Sequence, residues 1–254
     1  MKRLLVKLIK KLPSGERLLS WYVQFKLNLR VRLAGSPKNF FTHIYKSNLW
    51  ESDESVSGPG STLEYTKNIR KQLPLLFREF GVSTILDAPC GDYNWFSHVE
   101  RGPSVRYLGM DIVQNLVAKN QSSFGDQNTA FSVLDILTDR LPDADLWLCR
   151  DALIHFSNRD IFLTIRNFLG SNISYLLTTS YTNNERNIDI PTGSFRWLNL
   201  ERPPFNFCRP EKYIDDWIAG SPVRHLCLWK REDLRQSLKD NRHFRSFVKE
   251  QTTS

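Results

Sequence analysis

ILDAPCGDYNW, Ile85–Trp95, is the stretch from which the fold is read. Ile85 and Leu86 run into Asp87, Pro89 and Gly91 interrupt the apolar run, and Tyr93, Trp95 and Phe96 resume it. That pattern predicts a buried strand, a tight turn and the start of a helix. In α/β proteins such a turn lies at the carboxyl edge of the sheet, where a helix N-terminus offers unpaired N–H groups to a nucleoside ligand. A dinucleotide fingerprint would need three glycines, and only Gly91 is present.

Strand and helix signals alternate downstream. Tyr107–Met110 reads as a short strand ending in Asp111, with Ile112, Val113, Leu116 and Val117 opening a helix. Phe131, Val133 and Ile136 alternate around Asp135, and Leu146–Cys149 is an apolar strand ending in Arg150 and Asp151. Ser157 with Asp160 caps a helix carrying Ile161, Phe162, Ile165, Phe168 and Leu169, and Tyr175–Thr178 is the next strand. Such alternation calls for a parallel sheet covered on both faces.

Upstream, residues 34–60 are rich in Gly, Ser and Pro and hold the aromatic cluster Phe40, Phe41, Tyr45 and Trp50. Ser61 and Glu64 form a capping box, which predicts that a helix begins there and runs on through Ile69, Leu73, Leu76, Phe77 and Phe80, with Pro74 as a kink or break. The loop Ser57, Gly58, Pro59, Gly60, Ser61 thus sits just before a helix N-terminus, as a lid or as a flexible linker.

At 254 residues the chain holds one well-buried α/β domain with a small appendage. No apolar run is long enough to span a bilayer, and no small-residue cleavage site follows a clean apolar region. Cys90, Cys149, Cys208 and Cys227 lie far apart, which argues against structural zinc and a disulfide framework and suits a reducing cytoplasm. The charge is unevenly placed. Residues 1–33 hold nine Lys or Arg against Glu16, a surplus of eight that equals the net charge of the whole chain, and the other 26 basic and 26 acidic residues cancel.

Within this arm Leu4, Leu5, Leu8, Ile9 and Leu12 recur at helical spacing between lysines. From Trp21 to Leu33 apolar and polar residues alternate strictly, which reads as a half-exposed strand, although the leucine content also allows a helix. A basic amphipathic segment suits an anionic membrane surface or a partner enzyme, or it packs its apolar face on the body. Residues 1–40 are therefore read as a basic amphipathic arm and 41–254 as the α/β domain, cytoplasmic or peripheral at the inner face of the membrane. Nucleic acid is an unlikely partner, since the body carries no surplus of the basic residues that a phosphate backbone needs.

The D-x-P-C-G pattern at Asp87–Gly91 resembles motif I of the class I S-adenosylmethionine (SAM) methyltransferases, with Pro89 where the commoner version has glycine. S-x-S-G-x-G-S at 55–61, D-A-P-C-G-D at 87–92, D-I at 111–112 and C-R-D-x-L-x-H at 149–155 together resemble a bacterial group within that superfamily. The resemblance implies an α/β, Rossmann-like fold: a mostly parallel sheet flanked by helices, closed by a C-terminal antiparallel hairpin from Phe195–Leu200 and Val223–Trp229. It implies SAM as cofactor, held by Asp87, Pro89, Cys90, Gly91, Asp92 and Arg150, with Asp111 and Ile112 at the ribose and Asp135 and Ile136 at the adenine. A carboxylate suits a vicinal diol because it accepts two hydrogen bonds at once. Ser57, Gly58, Gly60 and Ser61 would cover the cofactor, and Asn187 and Arg196 would face the acceptor.

If the acceptor is a hydroxyl, a base must take its proton. His155 has a suitable intrinsic pKa, and Asp151 would orient it or serve instead. Small, buried and weakly polar is the commoner condition of cysteines such as Cys90 and Cys149. The expectation is a SAM-dependent methyltransferase acting on a small-molecule or saccharide acceptor, by O-methylation. The opposing reading is a non-catalytic SAM-fold binding or scaffold protein recruited through its basic arm.

Overall fold

The computed structural model describes residues 29, 31, 33–50 and 52–252. The helix expected over Leu4–Leu12 and most of the alternating stretch from Trp21 lie outside the described residues. At the end of that stretch Leu29, Val31, Leu33 and Ala34 are helical, so the helical alternative holds there.

Seven strands form one sheet in the order β3-β2-β1-β4-β5-β7-β6: β1 Thr84–Asp87, β2 Arg106–Asp111, β3 Thr129–Val133, β4 Leu146–Cys149, β5 Tyr175–Ser180, β6 Lys212–Asp215 and β7 His225–Lys230. The first five strands pair in parallel, and β7 is antiparallel to both β5 and β6. The central strands are apolar on both faces because both are covered. Leu86, Trp147, Cys149, Leu176, Cys227 and Trp229 face one core cluster, and Ile85, Leu146, Leu148, Leu177, Leu226 and Leu228 face the other. The order reverses between β1 and β4, so a crevice opens at the carboxyl ends of these strands.

Six helices are described: α1 Pro37–Ser47, α2 Lys67–Glu79, α3 Gln114–Phe124, α4 Asn158–Gly170, α5 Arg231–Lys239 and α6 Arg242–Thr252. α1 lies in the Gly, Ser and Pro-rich stretch. Ser36 Oγ accepts from the Asn39 amide, Pro37 occupies the first turn, left-handed Asn48 ends the helix, and Phe40 and Ile44 are buried one turn apart. α4 starts as expected, with the Asp160 amide donating to Ser157 Oγ at 3.1 Å. The N-cap of α2 is Thr66, five residues later than the capping box predicts, since Ser61 is buried and its carbonyl accepts from Asn94. α2 then continues through Pro74 as one element.

Two expectations are corrected by the fold. No α-helix follows motif I; after Gly91 the chain makes turns and one short 3-10 helix, Phe96–His98. Gly91 and Tyr93 both have positive φ, 57° and 59°, which a right-handed helix does not accommodate. Tyr93, Trp95 and Phe96 instead pack as an aromatic layer, with Tyr93 stacked edge-on against Phe131 at 5.0 Å and beside Tyr107 at 4.8 Å. The closing hairpin does include 225–230, but its partner strand is Lys212–Asp215 and not Phe195–Leu200. The backbone of 193–200 is occupied elsewhere: the Gly193 and Arg196 amides donate to the carbonyls of His155 and Ile154, and the Tyr181 amide donates to Leu198.

Candidate active site

A cleft with about 1090 Å³ of empty space, its open mouth included, lies over the carboxyl ends of β1, β2 and β4. Asp87, Pro89, Cys90, Gly91, Asp111, Ile112, Asp135, Ile136, Arg150, Asp151, His155, Ser57 and Ser61 all line it. Four sequence motifs spread over a hundred residues thus meet in one place.

At one end, Asp111 closes β2 and is buried. Its Oδ1 accepts from the Val113 amide at 3.0 Å and its Oδ2 from the Gly91 amide at 3.1 Å, and the Ile112 amide also donates to the carboxylate, which keeps acceptor capacity for one further donor. It therefore caps the next turn and also borders the cleft. Burial pushes its pKa up to about 6, against the backbone donors that lower it. Asp87 accepts from the Tyr107 hydroxyl at 2.7 Å, and burial raises it to about 7 although Tyr107 and Arg150 pull the other way. Asp135 spends Oδ1 on the Leu137 amide at 2.9 Å. Leu116, Leu134 and Leu137 add apolar wall beside Ile112 and Ile136.

Gly91 is needed for two reasons. Its φ of +57° is left-handed, and a Cβ there would stand 2.3 Å from Ser57 Oγ. Asp92, expected at the cofactor, does not line the cleft. Its carboxylate accepts from Ser55 Oγ at 2.8 Å, the Val56 amide at 2.9 Å and Ser57 Oγ at 3.1 Å, which ties the 55–61 segment onto motif I. Gly58 packs on Trp50, and the Gly60 carbonyl accepts from Arg150 Nη2 at 2.7 Å, so neither borders the cleft itself.

The other end is held by ion pairs. Asp216, fully buried just past β6, takes Arg150 Nε at 3.0 Å and Nη2 at 2.9 Å. Arg224, just before β7, reaches Asp151 at 3.0 Å and Asp216 at 3.4 Å. Trp95 and Tyr65 lie under the guanidinium groups of Arg150 and Arg224. Although burial raises the Asp151 carboxyl, Arg224 and then Arg150 hold it below its ordinary value, and Thr179 Oγ1 donates to it at 3.0 Å. Asp151 is thus a paired carboxylate and a poor base, and its partner among the described residues is not His155.

His155 is oriented by a carbonyl. Its Nδ1 lies 2.7 Å from the Ser194 oxygen, which only accepts, so the proton sits on Nδ1 and Nε2 carries the lone pair. Burial lowers its pKa, which keeps the ring neutral at neutral pH. Trp50 stacks on it with centroids 5.7 Å apart. Asn187 and Arg196, expected to face the acceptor, do not line the cleft. Arg196 donates to Asn158 Oδ1 and to the carbonyls of Phe156 and Ile188, and Asn187 bridges Asn199 and Pro203. Cys90 and Cys149 are buried, and burial raises both thiols, so neither is a nucleophile.

The sequence reading missed the Ser194 carbonyl, the pair Asp216 and Arg224, and the part α1 plays in the wall through Pro37, Phe41, Ile44 and Tyr45. The aromatic cluster at 40–50 was a signal for the last; a buried ion pair leaves no local pattern. Among the described residues no group of His, Cys, Asp and Glu is placed to hold a metal ion, and no helix is long and apolar enough to cross a membrane.

The fold has counterparts among solved structures. The human N-acetylserotonin methyltransferase, in complex with SAM, superposes with a TM-score of 0.51 at 13% identity, over 66% of this chain and 52% of that one. The mitomycin 7-O-methyltransferase MmcR superposes at 0.50 with 15% identity, over 65% and 54%. The chain has the class I methyltransferase fold. It spans about half the length of either relative. In sequence, no family model and no curated protein matches it.

Proposed function

We propose that this protein is a SAM-dependent methyltransferase that transfers a methyl group to a hydroxyl of a small-molecule or saccharide acceptor, with His155 as general base. The observation that carries the reading is the convergence on one cleft of a left-handed Gly91, two carboxylates with lone pairs to spare at Asp111 and Asp135, and a neutral, carbonyl-oriented histidine.

The residues present fit the cofactor. Asp111 offers acceptor capacity to a ribose diol, Asp135 to an exocyclic amine with Ile112 and Ile136 as apolar contact, and Asp87 to an ammonium group. When bound, SAM supplies a methyl on a sulfonium, whose thioether is a good leaving group. The chain supplies position and a proton acceptor. Ser194 keeps the proton on Nδ1 of His155, so Nε2 receives the acceptor's proton, and the carboxylate of Asp151 stabilises the imidazolium that results. Among the described residues Arg150 and Arg224 are paired with Asp216 and Asp151, which favours a neutral acceptor.

The test is incubation of the protein with labelled SAM and metabolite extracts, followed by identification of the labelled product. A methyl ether is expected, lost in His155→Gln, while affinity for S-adenosylhomocysteine is kept. Cofactor binding without any labelled product would leave the binding or scaffold reading.

A further inference from the structure

The segment Ser194–Leu198 is turned inside out. Ser194, Arg196 and Leu198 are buried, whereas Phe195 and Trp197 are 38% and 54% exposed. An arginine inside and two aromatic rings outside is the reverse of what a water-facing segment selects. Ile188, whose carbonyl accepts from Arg196, is 58% exposed on the same loop. The end of the basic arm meets this loop. Val31 Cγ2 is 2.9 Å from where a Cβ on left-handed Gly193 would stand, and Leu29 and Leu33 are 46% and 77% exposed. The surface also borders the cleft, since the Phe195 ring lies 5.8 Å from that of His155.

We propose that this rim is a docking face for an anionic lipid bilayer, which sets the mouth of the cleft on the membrane surface. Tryptophan and phenylalanine beside aliphatic side chains are the residues that settle at the headgroup level, and they do so without needing a shaped partner. Charge decides between the candidate occupants. Residues 1–33 carry a surplus of eight positive charges, and Val31, near the end of that stretch, lies beside Gly193 of the rim. A second copy of the chain would bring two such arms together over a neutral body. On the loop itself Arg186 offsets Glu185, and Asp189 is turned back onto the Asn158 and Ile190 amides, so the attraction comes from the arm and the insertion from the rim.

The proposal does not depend on methyl transfer and is tested apart from it. Full-length protein is floated with phosphatidylcholine vesicles with and without phosphatidylglycerol, beside the double variant Ile188→Ser with Trp197→Ser. Both side chains are more than half exposed, so melting temperature and S-adenosylhomocysteine affinity should match the unaltered protein. The expected result is flotation that needs phosphatidylglycerol and falls by about tenfold or more in the variant. Lipid brominated in its acyl chains should quench tryptophan emission of the unaltered protein, and quench Trp197→Phe less. Flotation of the double variant equal to that of the unaltered protein would overturn the proposal, as would failure of the unaltered protein to float. A dimer in sedimentation velocity that Trp197→Ser converts to monomer would also overturn it, and would identify a second copy as the occupant.

Discussion

The two ends of the cleft are built in different ways. Around Asp111 the contacts are between neighbouring strand ends and turns: Gly91 is twenty residues away, one strand over, and Val113 two residues away. Around Arg150 and His155 they come from far along the chain, with Asp216 66 residues beyond Arg150 and Ser194 39 residues beyond His155. The first end holds carboxylates raised by burial, so its state changes with pH and with what binds. The second is clamped by buried ion pairs, so it changes when a partner is removed. Adaptable electrostatics belong to the Asp111 end, and rigid positioning belongs to the end that holds Arg150 and His155.

The largest effect should come from the clamp. Asp216→Ala leaves the buried Arg150 guanidinium with Asp151 alone, at 3.5 Å, and takes from Arg224 one of its two carboxylates; breaking a buried pair in this way costs about 3–5 kcal/mol. At roughly 2–4 °C per kcal/mol for a chain of this size, thermal melting should show a drop of roughly ten degrees. A melting temperature equal to that of the unaltered protein would mean the clamp does not hold the second end together.

Next in size is the cofactor end. Asp111→Ala should weaken S-adenosylhomocysteine binding by about 1.5–3 kcal/mol, the range for hydrogen bonds to a charged group. Asp111→Asn should retain part of the affinity. Unchanged affinity in the alanine variant would reduce Asp111 to a turn cap at Val113.

The pH dependence sharpens the same contrast. Asp111 and Asp87 are raised to about 6 and about 7 by burial, above their unfolded values. Their contribution to stability is therefore complete below the unfolded carboxyl pKa and is lost as pH rises through 6 and 7, a tenfold difference in proton affinity being worth about 1.4 kcal/mol. The ligand-free protein should melt at lower temperature at pH 8 than at pH 5. A ligand that donates to these carboxylates favours their charged form, so its affinity should rise over the same window. Titration at several pH values checks this, and in Asp111→Asn the step near 6 should be absent. Asp151, held low by Arg224 and Arg150, should contribute no step there. The smallest effect is local: Ser157→Ala removes the cap of α4 and should cost about 1 kcal/mol in denaturant unfolding, with ligand affinity intact.

The same contrast explains what could be read from the residues alone. β1, β2 and β4 were legible because apolar runs end in Asp87, Asp111 and Arg150, and β5 because Tyr175–Thr178 is a further short run after a helix; strand ends carry side chains to the carboxyl edge by the fold's own logic. Gly91 was legible because close approach demands a missing Cβ. The clamp was not, since nothing in the residues around Asp216 and Arg224 marks them as partners and they meet only when β6 and β7 fold back. Phe195–Leu200 misled for a physical reason: its outward aromatics alternate like a strand, while its inward Arg196 and its amides are committed to the 154–158 turn. The missing helix after motif I follows from Tyr93, whose left-handed backbone sits in a turn closed by the Asn94 amide on Asp92 Oδ1 and whose ring is held by the aromatic layer around it.

Whether the carboxylate end of the cleft is a SAM site is decided by calorimetric titration of the protein with S-adenosylhomocysteine. Saturable binding in the micromolar range is expected, about −8 kcal/mol at 1 µM, weakened in Asp111→Ala and unaffected by His155→Gln. No saturable heat up to millimolar ligand with the folded protein would contradict it.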